Sequence, residues 1–251
     1  MSAKDIVLKP ISAADARRVV QREHYSGKVV QNSQFHIGVF YFGELEGAMQ
    51  FGPSIDKRKT AGLVRGSGWH EFTELNRMAF SEKLPKNSES RALGVAFRLL
   101  GKHAPQLKWV ISFADAAQCG DGTIYRASGF LLTGIKPNGQ LLRMPDGSIV
   151  AKKSLDNPNH TAADGRFGSA VALGSGATLL PGYQFRYVRF LDPTWVDRLT
   201  VPVIPFDKIP PECRMYRGES TRGGLNRAPG DQPGKGSENL TPPLHFSEGE
   251  P

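Results

Sequence analysis

Apolar residues recur along the chain with two different periods, and together they predict an α/β fold. Residues 34–42 (QFHIGVFYF) and 107–116 (LKWVISFADA) are β-branched and aromatic runs of strand length, and the second run is typical of a buried strand. Residues 91–103 (RALGVAFRLLGKH) instead place their apolar side chains on one helical face. The chain therefore mixes strands with amphipathic helices.

Cap and turn signals set the order of these elements. Ser12 and Asp15 form a capping pair that opens a helix, and Gly43 marks a turn between two strands. The predicted order is a strand (6–11), a helix (14–23), strands at 34–42, 45–52 and 69–80, a helix (91–103), a strand (107–116), a helical turn (122–128), a strand (129–135), a hairpin (141–153) and a last strand (183–192). This order predicts a mixed, mostly antiparallel sheet flanked by helices.

Composition divides the chain into one domain and a tail. Residues 1–218 form the predicted catalytic domain, which includes a long insertion or loop at 138–182. Residues 193–218 are rich in proline and are expected to extend along the surface. Residues 219–251 are rich in Gly, Pro, Ser and charge, and we expect them to be disordered because they have little apolar surface to bury.

The charge favours a phosphate-rich partner. The net charge is +8, and residues 219–251 carry five acidic against three basic residues, so the surplus of positive charge lies in residues 1–218. Nucleic acid is the first candidate because its binding releases counterions, and a CoA-type cofactor is the second. The alternative is that the charge serves solubility alone.

The remaining composition points to a cytoplasmic protein. Two cysteines, Cys119 and Cys213, are too few for a disulfide framework. No apolar run approaches the ~20 residues that cross a bilayer, and the first residues lack a secretion signal. We therefore expect reduced thiols, no membrane association and a location in the cytoplasm.

A predicted phosphate-binding loop lies between the strand that ends at Phe80 and the helix at 91–103. Small residues let a backbone approach a phosphate, and the first N–H groups of a helix lack internal partners. The alternative is close packing of helix on sheet. The segment resembles the Gln/Arg-x-x-Gly-x-Gly/Ala motif of the GNAT superfamily of acyl-CoA-dependent enzymes. The resemblance implies that acetyl-CoA is bound by Phe80, Arg91, Ala92, Gly94, Val95 and Ala96.

A tyrosine follows at the place where GNAT proteins commonly carry one. The buried strand 107–116 is succeeded by a short helical segment with Tyr125. In the superfamily this strand splays from the one before it, and the tyrosine sits near the thioester sulfur. The alternative is a core tyrosine with a bonded hydroxyl.

Longer strings resemble the phage Mom family. They are HYSG at 24–27, ISFADAAQCGDGTIYRASGFLLTGI at 111–135 and FRYVRFLDPTW at 185–195. The resemblance covers about residues 20–218 and implies a DNA-modifying, anti-restriction enzyme of bacteriophages. It would use acetyl-CoA to convert the adenine N6 amine to N6-carbamoylmethyladenine.

The same resemblance implies the catalytic residues. They are His24, Tyr25, Arg77, Asp115 and Tyr125. Asp115 with Tyr125 offers a general base and a proton relay. The family is also associated with iron, for which His24, Asp115 and Tyr125 are the implied ligands. The alternatives are a histidine at a helix end, a turn aspartate and a surface arginine.

A DNA substrate would require a basic surface and a flipped adenine, because N6 is buried in the duplex stack. The best phosphate-contact candidates are Lys57, Arg58, Lys59 and Arg65. Their alternative is a solvated basic loop. The expected partners are double-stranded DNA and acetyl-CoA, with a homodimer as a further expectation.

Two other functions compete with adenine modification. One is an ordinary GNAT N-acetyltransferase that acts on a protein or small-molecule amine. The other is a DNA-binding module whose cofactor fold is vestigial, for which DNA binding would be salt-sensitive and CoA would give no stabilisation.

Overall fold

The computed structural model describes residues 2–24, 26–116, 122–137, 139, 141–156, 168–180 and 182–213. The described strands are β1 (Val7–Pro10), β2 (Phe35–Tyr41), β3 (Glu44–Gly52), β4 (Phe72–Phe80), β5 (Trp109–Asp115), β6 (Leu131–Pro137), β7 (Leu141–Arg143), β8 (Ile149–Ala151), β9 (Thr178–Leu179) and β10 (Tyr183–Phe190). The described α-helices are α1 (Ala13–Glu23), α2 (Lys57–Ala61), α3 (Ser88–His103), α4 (Thr123–Ala127), α5 (Lys152–Leu155) and α6 (Gly168–Gly174).

A seven-stranded sheet in the order β1-β2-β3-β4-β5-β10-β6 forms the centre of the protein. Its strand pairs are antiparallel except for β4 and β5, which run parallel because α3 connects them as a crossover. The two main helices cover opposite faces. On one face α1 packs its buried Val19 and Val20 against Ala48 and Ala79. The prediction of a mixed, mostly antiparallel sheet flanked by helices is confirmed.

The other face carries the larger core. Leu93 and Phe97 of α3 pack there against Met49 and Phe51 of β3, together with the buried Tyr125 of α4. The apolar spacing predicted from the sequence is thus the face that α3 buries. The helix begins at Ser88, three residues before the predicted start. The Pro85 carbonyl, in the turn that precedes it, accepts hydrogen bonds from the Ser88 N–H and hydroxyl.

Strand β4 begins later than the sequence predicts. Residues 69–71 are not part of it, because Glu71 and Gly68 close a turn in which the Gly68 N–H donates to the Glu71 carboxylate over 2.6 Å. Trp69, on this turn, is 60% exposed. The predicted strand 69–80 is therefore shortened to Phe72–Phe80.

The predicted long loop contains a second, small sheet. Its strand order is β8-β7-β9, and the buried Leu142 of β7 packs against Ala172 and Ala177. Helix α6 and strand β9 therefore lie in a segment, 154–182, for which the sequence predicted only a loop. Both elements are short, and α6 consists mainly of small residues, so neither gives a strong periodic signal.

The proline-rich extension is held against the body of the protein rather than lying only along its surface. Trp195 is buried in a 3₁₀ helix at Pro193–Arg198, and Ile209 and Cys213 join the main core. The Ile204 N–H donates to the Leu132 carbonyl over 2.8 Å. Prolines exclude regular strand pairing but leave alternate apolar residues free to be buried. The predicted disordered tail at 219–251 lies outside the described residues.

Candidate active site

The parallel pair β4 and β5 separates after three residues. Pairing joins Phe72–Glu74 to Trp109–Ile111, but the strands continue to Phe80 and Asp115. A bulge on β4 lies where the separation begins, because Gln50 pairs with Arg77 and Phe51 with Leu75. Asn76 is therefore the extra residue, and such a bulge bends its strand. The result is a crevice between two strands at the centre of the sheet.

A cavity of about 490 Å³ opens from this crevice on one face of the sheet. Its lining includes Ser54, Glu74, Arg77, Phe113, Asp115 and Arg186. Phe113 and Asp115 alternate along β5, and their register partners on β10, Arg186 and Gln184, share that face. Four adjacent strands thus supply a floor of mixed charge.

Glu74 is a functional candidate that the sequence analysis missed. It is partly buried in the cavity and is hydrogen-bonded by the side chains of Ser54 and Asn76. Burial raises the pKa of the Glu74 carboxyl above its usual value, and these hydrogen bonds and the charge of Arg77 offset only part of the increase. A signal exists in the sequence, because Glu74 and Asn76 are polar residues at alternate positions of the strand, on either side of the apolar Leu75.

Arg77 connects the cavity with the HYSG segment. Its Nε donates to the Lys28 carbonyl over 3.1 Å and its Nη1 to the Asn76 carbonyl over 2.7 Å. His24 lies at the end of α1, and its Nδ1 accepts a hydrogen bond of 3.1 Å from the Ser26 N–H. Burial, followed by the charge of Arg77, lowers the pKa of His24 to about 4. His24 is therefore neutral at neutral pH, with its proton on Nε2.

Tyr125 lies where the two strands part. The Ser112 hydroxyl donates to the Tyr125 hydroxyl over 3.1 Å and approaches the Leu75 carbonyl of β4 at 3.4 Å. The Tyr125 ring is buried and stacks on Tyr187 with a centroid separation of 4.7 Å. The hydroxyl thus faces the crevice from the α3 side of the sheet.

Asp115 and Tyr125 lie on opposite faces of β5. The strand pairs regularly with β10, so Ser112, which contacts Tyr125, points away from the face of Asp115. The predicted iron ligands His24, Asp115 and Tyr125 therefore do not share one face, and this arrangement does not fit a common metal ion. Within the described ranges no group of three or more His, Cys, Asp and Glu side chains is placed to hold a metal.

A second cavity, of about 590 Å³, lies at the start of α3. Its lining includes Lys4, Lys86, Asn87, Arg91, Gly94 and Arg98. Four of these six residues are cationic, and the first N–H groups of α3 point toward the same end. A Cβ built on Gly94 would meet only Arg98, at 4.0 Å, so this position is open on the cavity side.

The structure divides the predicted cofactor residues into two groups. Arg91 and Gly94 line the second cavity. Phe80, Ala92 and Ala96 are buried in the main core, and Val95 is partly buried outside the lining. Because α3 begins at Ser88, the N–H groups of its first turn belong to Ser88–Ser90 rather than to the residues around Gly94.

The predicted DNA-contact residues cluster beside the first cavity. Lys57, Arg58 and Lys59 form the exposed first turns of α2, and Lys59 lines the cavity itself. Arg65 is also exposed, a few residues further on. Of the remaining predicted residues, Tyr25 lies outside the described ranges. In the described part of the chain, no helix is both long and apolar enough to cross a membrane.

Comparisons with solved structures return acetyltransferases at low identity. An Arabidopsis thaliana NAA60 complex with a bisubstrate analogue matches with 13% identity and a TM-score of 0.46, over 74% of this chain and 97% of that one. An IAA acetyltransferase from Bacillus cereus matches with 10% identity and a TM-score of 0.43, over 74% and 99%. The assignment of a family rests instead on the sequence.

Two sequence matches identify the family. The Mom protein family model matches residues 5–208. Methylcarbamoylase mom of Escherichia phage Mu is 30% identical over 210 residues, which cover 83% of this chain and 85% of the relative. The residues matched by the family model include the crevice, the first cavity, the basic helix α2 and the α3 side of the second cavity. This chain therefore belongs to the Mom protein family.

Proposed function

We propose that the protein is a DNA-modifying transferase that uses acetyl-CoA to convert adenine N6 to N6-carbamoylmethyladenine, and that this base protects phage DNA from host restriction. The observation that carries the proposal is the crevice between β4 and β5. It lies between a basic cavity at the start of α3 and a mixed-charge cavity on the opposite face of the sheet. A cofactor anchored in the basic cavity would reach a base held in the mixed-charge cavity.

The second cavity fits the diphosphate of a CoA molecule. Arg91, Lys86 and Arg98 supply cationic groups, and the first turn of α3 supplies N–H donors. Gly94 leaves the backbone of the second turn open to close approach. Acetyl-CoA, when bound, supplies a two-carbon unit activated as a thioester. The hydroxyl of Tyr125, at the point where the strands part, is placed to donate a proton to a departing thiolate.

The first cavity fits an adenine and the groups needed to activate it. The N6 lone pair is delocalised into the ring, so the amine needs a base to become nucleophilic. Glu74 is our candidate, because a carboxyl whose pKa is raised toward the working pH is the better proton acceptor. Three carboxylates line the cavity, and Asp56 is engaged as the cap of α2. We propose that the third, Asp115, binds the same amino group as Glu74.

Atom balance requires two further reactants. The product gains C2H3NO, and the acyl end of a thioester contains no nitrogen, so an ammonia- or amide-class donor must supply the carboxamide. Joining the methyl carbon to N6 also removes two hydrogens, which requires a two-electron oxidant such as dioxygen. No step is assigned to iron, because the implied ligand set lies on two faces of the sheet.

The test is mass spectrometry of nucleosides from cells that express the protein. We expect deoxyadenosine heavier by C2H3NO with the wild type and with Glu82→Gln, which alters an exposed glutamate outside the cavity. Glu74→Gln should remove most of the heavy nucleoside. Unmodified DNA from cells with well-expressed wild-type protein would contradict the proposal. Acetylation of a protein or small-molecule amine in its place would instead establish an ordinary N-acetyltransferase.

A further inference from the structure

An isoleucine at the mouth of the first cavity is almost wholly exposed. Ile55 lines this cavity and is 81% exposed, more than any other large hydrophobic residue in the described ranges. Exposing an aliphatic side chain to water is unfavourable, and a single such residue can be neutral for function. The surroundings of Ile55 distinguish it from such a residue.

The loop that presents Ile55 is anchored on both sides. Before it, the buried Ser54 hydroxyl is 2.9 Å from the Thr60 hydroxyl and also bonds Glu74. After it, the Asp56 carboxylate caps α2 by accepting a hydrogen bond of 3.0 Å from the Lys59 N–H. Ile55 is therefore held outward at the tip of a short, fixed connection between β3 and α2.

The surface beside Ile55 is basic and aromatic. Lys57, Arg58 and Lys59 are exposed, and none of them forms an ion pair with an acidic side chain of the described residues. The Lys57 ammonium lies 5.9 Å from the centre of the Trp69 ring, which is itself 60% exposed. This combination of cations and exposed rings suits a nucleic-acid backbone with partly unstacked bases.

We infer that Ile55 is a wedge that enters the base stack of duplex DNA and fills the space left when the target adenine turns into the cavity. The inference rests on the proposed function. Apolar side chains inserted between base steps unstack them, and a flipped base loses both its pairing and its stacking. An aliphatic group in the vacated position restores part of the lost contact, while α2 holds the flanking phosphates.

The cavity behind Ile55 has a surface for the extruded base. Phe113 lies on the cavity floor and is 37% exposed, which leaves its ring available for stacking. Ile55 at the mouth and Phe113 on the floor thus have separate roles. Phe113 would contact the base in any DNA, whereas Ile55 matters only where the base must first leave a duplex.

That difference defines the experiment. Wild type, Ile55→Ala, Ile55→Leu and Val203→Ala would be assayed by nucleoside mass spectrometry on sheared genomic DNA, either double-stranded or heat-denatured. Each reaction would contain acetyl-CoA, ammonium and amide nitrogen donors, and dioxygen. Val203 is the matched control, since it is 46% exposed and does not line the cavity. We expect Ile55→Ala to lose about tenfold or more on double-stranded DNA and to match the wild type on denatured DNA. Ile55→Leu and Val203→Ala should match the wild type on both.

Two results would overturn the inference. An equal loss on both DNA forms would make Ile55 a residue that shapes the cavity, and no loss on double-stranded DNA would leave it without a role in extrusion. Wild type that modifies neither form would contradict the proposed function separately. In that case duplex DNA carrying 2-aminopurine in place of some adenines decides the inference. Fluorescence must rise with the wild type and not with Ile55→Ala, and equal fluorescence with the two proteins would overturn it.

Discussion

The hydroxyl of Ser112 on β5 donates a hydrogen bond of 3.1 Å to the hydroxyl of Tyr125 on α4, at the point where β4 and β5 part. The same Ser112 hydroxyl is 3.4 Å from the Leu75 carbonyl on β4. One small side chain therefore links both edges of the crevice to the candidate acid. The Ser112 hydroxyl has a single proton, and both the Tyr125 hydroxyl and the Leu75 carbonyl lie within hydrogen-bond distance of it.

Replacing Tyr125 with phenylalanine tests the role of its hydroxyl in catalysis separately from the role of its ring in stability. Tyr125→Phe keeps the ring that stacks on Tyr187 and removes only the hydroxyl. We expect kcat to fall by about 10²-fold or more with proton donation lost, while the free energy of unfolding changes by about 1 kcal/mol. Steady-state kinetics and urea unfolding measure the two effects. An unchanged kcat would remove Tyr125 from the proposed chemistry.

Glu74 predicts a particular pH profile. Its pKa is raised by burial, so the proton acceptor becomes available only as pH rises above the usual range of a glutamate. We expect kcat/KM to increase with pH through this raised pKa, and the acidic limb to disappear in Glu74→Gln together with most of the activity. Stability has the opposite sign, because the raised pKa means that the protonated carboxyl favours the folded protein. This contribution is lost as pH rises through the folded-state pKa.

Glu74→Gln should therefore unfold at higher urea than the wild type at neutral pH, where the wild-type carboxylate is ionised in a partly buried position. Glu82→Gln, at an exposed site, should leave the midpoint unchanged. A variant that loses activity and stability together would indicate a structural role for Glu74 rather than a chemical one.

His24 predicts the opposite dependence. Its pKa falls from 6.5 to about 4 on folding, so the unfolded chain takes up the proton first as pH decreases. The stability contributed by the neutral imidazole is present above pH 6.5 and is lost as pH falls toward 4. Between pH 6.5 and 5 we expect a loss of about 2 kcal/mol from this group.

Urea unfolding at a series of pH values measures that loss. His24→Asn retains an acceptor for the Ser26 N–H but cannot titrate, so it should flatten the dependence. His70→Asn, at an exposed position, should retain the wild-type slope. A wild-type slope in His24→Asn would show that the acid sensitivity originates elsewhere.

Two glycines of α3 form a matched pair for the cofactor site. Gly94 lines the basic cavity, whereas Gly101 on the same helix is exposed and has no atom within 4 Å of a built Cβ. Each change to alanine should stabilise the helix by up to about 1 kcal/mol. Only Gly94→Ala should weaken CoA binding in calorimetry, because its methyl group occupies the side on which the diphosphate approaches. Equal CoA affinity in the two variants would place the diphosphate elsewhere.

The basic helix α2 predicts a change in salt dependence. Replacing Lys57 and Arg58 with glutamine should reduce the slope of log K against log salt for duplex DNA by about 2 if both contact phosphates. Lys102→Gln removes an exposed cation from the end of α3, outside both cavities, and should leave the slope unchanged. Fluorescence anisotropy at several salt concentrations distinguishes these cases. A slope that falls by the same amount in all variants would mean diffuse attraction without a defined surface.

Local patterns along the chain were sufficient for much of the fold. The apolar face of α3, the capping pair of α1 and the β-branched and aromatic run of β2 were visible because these signals are local in the chain. The helix that contains Arg91–Ala96 was predicted, but it begins at Ser88 rather than at Arg91. The sequence pattern did not predict the two-residue strand β9, because so short an element has no detectable period. It also did not predict the turn at Trp69, which delays the start of β4.

The site itself depended on tertiary structure. Sequence spacing placed Asp115 and Tyr125 ten residues apart but did not determine the side of the sheet that each faces, and in the folded protein they lie on opposite faces of β5. Glu74 was polar at an alternating position of its strand, but its raised pKa depends on burial in the folded cavity. The sequence by itself determined most of the longer helices and strands, because those preferences are local. Only the packed sheet decided which side chains meet, because the bulge at Asn76 and the separation of β4 from β5 arise from pairing between segments far apart in the chain.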